Sequence, residues 1–310
     1  MLKKAVRSIL NQSYTNFELL IGNDYPYKKI TFNSLGIKKD SRIIIFNYKK
    51  NIGERNNMNF LLSKAKAKYF SWLADDDLMN KKFIELLLKP IINESKNIVA
   101  SYSNYHTLKK PNFNKTNLNV SSKFKIYNNK YFLDLYTSRK IKLIGIYGII
   151  QTKYLKKVGG INKFGKSLQK NKIDLNMYPY SDTIIPIKLS RYGKISYTDN
   201  KLVIFNSHQN SMSAISKDFI SYQLGGIFLL KEIKKFSKFF NNKELFNKIS
   251  FNMSLWICEN QKNVLKRNKS LFFLIKLKIF FIFINKISKN LSTHKYKFIY
   301  FNIVHNLFRI

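Results

Sequence analysis

Three adjacent carboxylates, Asp75, Asp76 and Asp77, close a stretch that reads YFSWLADDD from Tyr69. Its first half holds Tyr69, Phe70, Trp72 and Leu73, an apolar run of β-formers that suits a buried strand. Open α/β sheets do their ligand chemistry at the carboxyl ends of strands, where these acids would stand. Neighbouring carboxylates repel one another, and a divalent cation offsets that charge. Mg²⁺ or Mn²⁺ takes one or two protein carboxylates together with substrate phosphates. The competing reading makes Asp77 the cap of a helix, since LMNKKFIELLL carries apolar residues at helical spacing. A cap needs one acid rather than three, and on this stretch alone both readings stand.

The elements around the acids alternate. Leu2, Ala5, Val6, Ile9 and Leu10 form a helical stripe over residues 2–13. Residues 17–24 (FELLIGND) read as a buried strand with a polar end, and residues 42–48 (RIIIFNY) as a second. Residues 54–67 predict a helix, 69–74 the third strand, 78–89 a helix and 98–102 a further strand. Strand, helix, strand at this spacing predicts a parallel α/β sheet with crossover helices. Residues 103–130, rich in Asn, Lys and Ser, read as a long loop. Residues 144–152 are apolar, a helix follows around Tyr154–Val158, and Gly159–Gly160 breaks the chain. Residues 182–189 predict a helix, and 194–198 and 201–205 two strands.

The chain carries 56 Lys and Arg against 17 Asp and Glu, a net charge of +39 that favours an anionic partner. Lys, Asn, Ile and Phe are abundant throughout, as coding bias alone would produce, so charge does not name the partner. Cys258 is the only cysteine, which excludes an internal disulfide, and beside Trp256 and Ile257 it reads as packing. Residues 1–24 show no secretory signal. From about residue 214 the character changes. Segments 216–240 and 241–267 read as amphipathic helices, and residues 271–285 are very apolar but interrupted by Lys276 and Lys278. That run is too short to span a bilayer, which takes roughly 20 apolar residues. No acid follows Glu259. A basic, aromatic tail of this kind fits either an anionic membrane face or a helical subdomain packed on the core.

Several short motifs stand in order: Ser8-Ile9-Leu10-Asn11-Gln12-Ser13-Tyr14, Asn23-Asp24, Asn51-Ile52-Gly53, Asn59, Ala65 and Ala74-Asp75-Asp76-Asp77. In this order the chain resembles the family 2 glycosyltransferases. Gly159-Gly160-Ile161-Asn162, Ser181-Asp182 and Asn206-Ser207-His208-Gln209-Asn210-Ser211 are similar to later family motifs, so the resemblance runs to about residue 213. Met58 stands where the family often has Arg. The family also has a strand ahead of the first helix that is missing here, so two unpaired strand edges and a reduced nucleotide pocket are expected.

The resemblance implies an α/β fold of GT-A type: a mostly parallel sheet flanked by helices over 1–213, with a basic helical extension over 214–310. It implies an inverting, metal-assisted transfer of sugar from a nucleotide-diphosphate donor to a hydroxyl of a cell-surface glycan or lipid-linked acceptor. Mn²⁺ or Mg²⁺ would be held by Asp76, supported by Asp77 and His208. Asn23, Asp24, Asn51, Gly53, Asn59 and Asp75 would bind the nucleotide sugar. Asp182 would be the base. Other readings remain for some of these: Asn23-Asp24 as a turn before Tyr25-Pro26, Asp182 as part of a helix cap, and His208 as structural. The expected place is the inner face of a bacterial plasma membrane. Two rivals are an inactive membrane-peripheral remnant of the same fold and a basic nucleic-acid-binding protein. Against the latter, the aromatics lie mostly in apolar strands and no nucleic-acid motif is present.

Overall fold

The computed structural model describes residues 1–93, 97–108, 120–161, 179–207, 219–240 and 242–267. The chain forms two compact units, Met1–Met177 with Ser181–Ala214, and Tyr178–Tyr180 with Ile215–Ile310.

The first unit opens with α1 (Leu2–Leu10), which buries Ala5, Val6, Ser8 and Ile9. It ends short of the expected Ser13 because Gln12 turns inward. The Gln12 side-chain amide donates to the carbonyls of Ser8 at 3.0 Å and Asn80 at 2.8 Å, and its oxygen accepts from the Ile84 N–H at 3.0 Å. The motif residue Gln12 therefore fastens α1 to the segment just after the acids. Next come β1 (Leu19–Asn23), the short α2 (Phe32–Leu35) and β2 (Ile43–Asn47), with β1 and β2 parallel and in register from Leu19–Ile43 to Asn23–Asn47. Val6, Ile21, Leu35 and Ile43 form the small core of this layer.

After α3 (Glu54–Lys64) the expected strand over 69–74 shortens to β3 (Tyr69–Phe70), and a second short strand, β4 (Leu78–Met79), follows the acids. The acids thus lie in a turn between two strands. The helix after them, α4 (Phe83–Asn93), begins five residues later than expected. Its start is bound by Asn80, whose carbonyl accepts from the Phe83 N–H and whose side chain accepts from the Lys82 N–H. That overturns the cap reading of Asp77.

The larger sheet is built from β3, β4, β5 (Ile98–Leu108), β6 (Lys125–Tyr127), β7 (Gly148–Gln151) and β8 (Lys194–Asn206). Its order is β3-β7-β5-β8-β4, with β6 also on β8. The α/β class with flanking helices is as expected, but the pairing is mixed rather than mostly parallel. Among the described residues only β1–β2 and β5–β8 run parallel, while β3–β7, β5–β7, β4–β8 and β6–β8 are antiparallel. Among the described residues β1 pairs only with β2 and β3 only with β7. Strand β5 is longer than the expected 98–102, and β8 joins the two strands expected over 194–205, with register irregularities opposite Ser103–Tyr105.

Ile98 to Ser103 of β5 are buried on both faces, as a central covered strand requires. Val99 of β5 and Phe83 and Leu87 of α4 are fully buried. Each such side chain contributes roughly 1.5–3 kcal/mol relative to exposure. The remaining helices of this unit are α5 (Asn129–Thr137), α6 (Thr152–Lys157) and α7 (Ser181–Leu189).

In the second unit α8 (Phe219–Phe240) packs on α9 (Lys243–Arg267) through Gly226, where a Cβ would press on Ile257. Cys258 is buried among these contacts, as its packing role predicts. No described helix is long and apolar enough to cross a membrane. The apolar run 271–285 lies outside the described residues.

Candidate active site

The acidic turn divides its three carboxylates. Asp77 is 1% exposed, Asp76 half-buried and Asp75 exposed. Asp77 points inward: one oxygen accepts from the Tyr147 hydroxyl and the other from the Asn206 N–H at 2.7 Å. Burial pushes its carboxyl up to about 6, against the lowering effect of those two bonds. A carboxylate so enclosed holds the turn to β8 and is not placed to take a metal. Asp75 and Asp76 remain on the outer side of the turn.

The end of β1 lies beside the Asn51 loop. Asp24 accepts from the Ile52 N–H at 2.6 Å, and the Asn51 amide donates to the Asp24 carbonyl at 3.0 Å. Gly53 follows at φ +82°, a conformation that side chains oppose, and starts α3 with Glu54 as its first residue. Asn23 is turned away from this surface. It is 6% exposed and donates to the Lys28 carbonyl at 2.7 Å and to Asn47 at 2.8 Å, while accepting from the Tyr25 N–H. The turn reading suits Asn23 and leaves its amide no donor for a base edge.

Asn59 likewise has another task. Its amide pairs reciprocally with the Ile161 backbone, donating to the carbonyl at 2.7 Å and accepting from the N–H at 2.9 Å. This fixes the Gly159–Gly160 turn, both glycines having positive φ, and takes Asn59 out of the set expected to touch the nucleotide sugar.

Asp182 lies in the first turn of α7, where a negative charge is favoured by the helix dipole. Burial raises its carboxyl above the ordinary value, opposed by bonds from Thr183. Its charge in turn raises the Tyr105 and Tyr136 hydroxyls, after burial in each case. The same field reaches Glu54. Surrounding protein first, then repulsion from Asp182, Asp76 and Asp75, raises the Glu54 carboxyl, although its side chain still touches solvent. Four acids from three distant segments therefore share one electrostatic neighbourhood. Sequence reasoning missed Glu54, though it directly follows the Asn51-Ile52-Gly53 motif. It also missed Tyr147, which sits in the apolar run 144–152.

Among the described residues no three His, Cys, Asp or Glu side chains come together as a protein-only metal site. Hard carboxylate oxygens nevertheless suit Mg²⁺ or Mn²⁺, which need only one or two when phosphates complete the shell. Asp75 and Asp76, on the outer side of the turn, are carboxylates of that kind. His208 lies outside the described residues, as does Asn162.

A mixed sheet with flanking helices, and acids gathered at a strand-end turn, define a GT-A-like fold. A crystal structure of S. aureus TarS residues 1–349 shares it, with a TM-score of 0.54 at 11% identity over 85% of this chain and 76% of that one. TarS 1–349 in complex with UDP-GlcNAc gives a TM-score of 0.50 at 12% identity, over 85% and 78% of the two chains. Residues 1–153, just under half of the chain, match the family described as glycosyl transferase family 2. An uncharacterized glycosyltransferase of Rickettsia conorii is 37% identical over 105 residues, 34% of this chain and 17% of that protein. One from Haemophilus influenzae is 33% identical over 87 residues, 27% of each. The matched part thus spans only about a sixth of the length of the Rickettsia conorii and Rickettsia bellii relatives, 17% and 15%.

Proposed function

We propose that the protein transfers a sugar, with inversion, from a nucleotide diphosphate to a hydroxyl of a glycan or lipid-linked acceptor. The observation that carries this reading is the shared electrostatic neighbourhood of Asp182, Glu54, Asp75 and Asp76. The family match and the UDP-GlcNAc complex of a protein of like fold support a nucleotide-sugar donor.

Asp182 takes the proton of the acceptor hydroxyl as that oxygen bonds to the anomeric carbon. The bond from carbon to the diphosphate oxygen breaks on the opposite face, and the pair of electrons leaves with the diphosphate. A carboxyl raised by burial is a better base near neutral pH than an ordinary aspartate. Asp24, Asn51 and Gly53, joined in one hydrogen-bonded loop, would orient the nucleoside. Asp76, with Asp75 beside it, would hold Mn²⁺ or Mg²⁺, which when bound neutralises the leaving diphosphate. Glu54 adds a fourth negative charge facing the same region, which strengthens the demand for a cation.

The basic second unit would hold the enzyme on an anionic membrane face, where each engaged Lys or Arg contributes roughly 1 kcal/mol. Product NMR with UDP-sugar donors tests the reaction. Inverted anomeric configuration and loss of transfer in Asp182→Asn are expected, whereas retained configuration or normal turnover by that variant would overturn it.

A further inference from the structure

We infer that the turn Ile144–Gly148 is the gauge that sets the acidic turn relative to Asp182, with Tyr147 and Gly145 as its positioning residues. The inference rests on the glycosyl-transfer reading of the site. Within this turn the Tyr147 N–H donates to the Ile144 carbonyl at 2.9 Å, and the Ile146 carbonyl accepts from the Trp72 N–H at 3.4 Å.

On one side the Tyr147 hydroxyl clamps both ends of the acidic turn. It donates to the Asp77 carboxylate and accepts from the Ala74 N–H at 3.4 Å, while the Asp77 N–H closes the turn on the Ala74 carbonyl at 3.3 Å. Asp75 and Asp76 lie between those two anchored residues. Packing alone would be served by Phe; the hydroxyl is what reaches the turn.

On the other side, two residues earlier, the first turn of α7 rests on Gly145. A Cβ there would collide with the Asp182 carbonyl oxygen and stand 2.8 Å from Pro186 Cδ. Gly145 is not among the glycines with positive φ, so close approach rather than backbone conformation calls for glycine. The Tyr102 hydroxyl donates to the Gly145 carbonyl at 3.3 Å, and the Tyr136 hydroxyl to that of Thr183 at 3.3 Å. These buried bonds keep the turn and the start of α7 from sliding past each other. One short segment therefore touches the anchored ends of the acidic turn through Tyr147 and the backbone of Asp182 through Gly145.

The two contacts make separable predictions for the full chain. Tyr147→Phe should weaken UDP binding, read by calorimetry, by about tenfold, while the pH profile of kcat keeps its acid limb. Gly145→Ala should leave UDP affinity within about threefold but lower kcat by about 10²-fold, the cost of a displacement near 1 Å, and shift that limb. Tyr136→Phe, a milder disturbance of the same helix start, should act in the same direction as Gly145→Ala and stands in for it should that variant not fold. Tyr197→Phe, which loses a bond to the Lys142 carbonyl outside this turn, serves as the control for general loosening. If all four variants merely lower the melting temperature alike, with UDP affinity and pH limb unmoved, the gauge role is overturned. Asp76→Ala and Asp182→Asn, run alongside, separate the two ideas. Should the parent transfer no sugar, or these variants transfer it as fast as the parent, the reading of the site falls. Should these be inactive while Tyr147→Phe and Gly145→Ala behave as the parent, only the gauge falls.

Discussion

At the scale of single residues, the chemistry divides by how each carboxyl is surrounded. Asp182 is raised by burial, and a base works only when ionised. The acid limb of kcat/KM should therefore lie above the ordinary aspartate value of 3.8, with activity falling as pH drops through it. Asp182→Asn should lose transfer by about 10²–10⁴-fold, keep UDP affinity and abolish that limb; a retained limb would assign it to another group. Asn59 provides the contrast. Asn59→Ala leaves the N–H and C=O of Ile161, a residue 3% exposed, without their side-chain partner. A loss of about 1–3 kcal/mol in denaturant unfolding is expected, with UDP affinity unchanged. Reduced affinity at full stability would return Asn59 to the donor site. The acids at 75–77 were legible from the sequence as a group, but not their division. Asp77 is turned inward by Tyr147 and Asn206, 70 and 129 residues away, and no local pattern carries such pairings.

At the scale of elements, periodicity found β1, β2, α3, α6 and α7 to within a few residues, because each buries one face or stripe. It failed around the acids. The YFSWL run looks like one strand, yet only Tyr69 and Phe70 find ladder partners, on Gln151 and Ile150 of β7. LMNKK looks like a helix start, yet Leu78 and Met79 pair with Ile204 and Val203 of β8. Tertiary pairing overrode local propensity there. The start of α3 was legible through Gly53, whose φ of +82° and ψ of 147° suit glycine alone. Gly53→Ala should cost about 1–3 kcal/mol in stability and weaken UDP binding together, because Glu54 and the Asn51 loop shift with it. Unchanged melting would contradict the strain. In the second unit, burial pushes the Cys258 thiol up to about 12, so at pH 8 it stays protonated. A thiol-specific dye should label nothing until denaturant unfolds α8 and α9, and then one thiol per chain; rapid labelling of the native protein would contradict the packing.

At the scale of the whole molecule, charge and site make different claims. The net charge of +39 suits adsorption to anionic vesicles. Cosedimentation with such vesicles at low salt, falling as salt rises, is expected, and indifference to them would leave the charge to compositional bias. The α/β class and the family resemblance were legible because several weak motifs keep their order along the chain. The mixed pairing was not, since strand direction is decided by partners far apart in sequence. The central claim is that the outer pair of acids, Asp75 and Asp76, serves a nucleotide diphosphate through a divalent cation. Calorimetric titration of UDP, GDP and dTDP, with and without Mn²⁺, into the parent protein and Asp76→Ala tests it most directly. Binding by the parent that requires Mn²⁺ and is lost in Asp76→Ala is the expected result; metal-independent binding that the substitution leaves unchanged would contradict it.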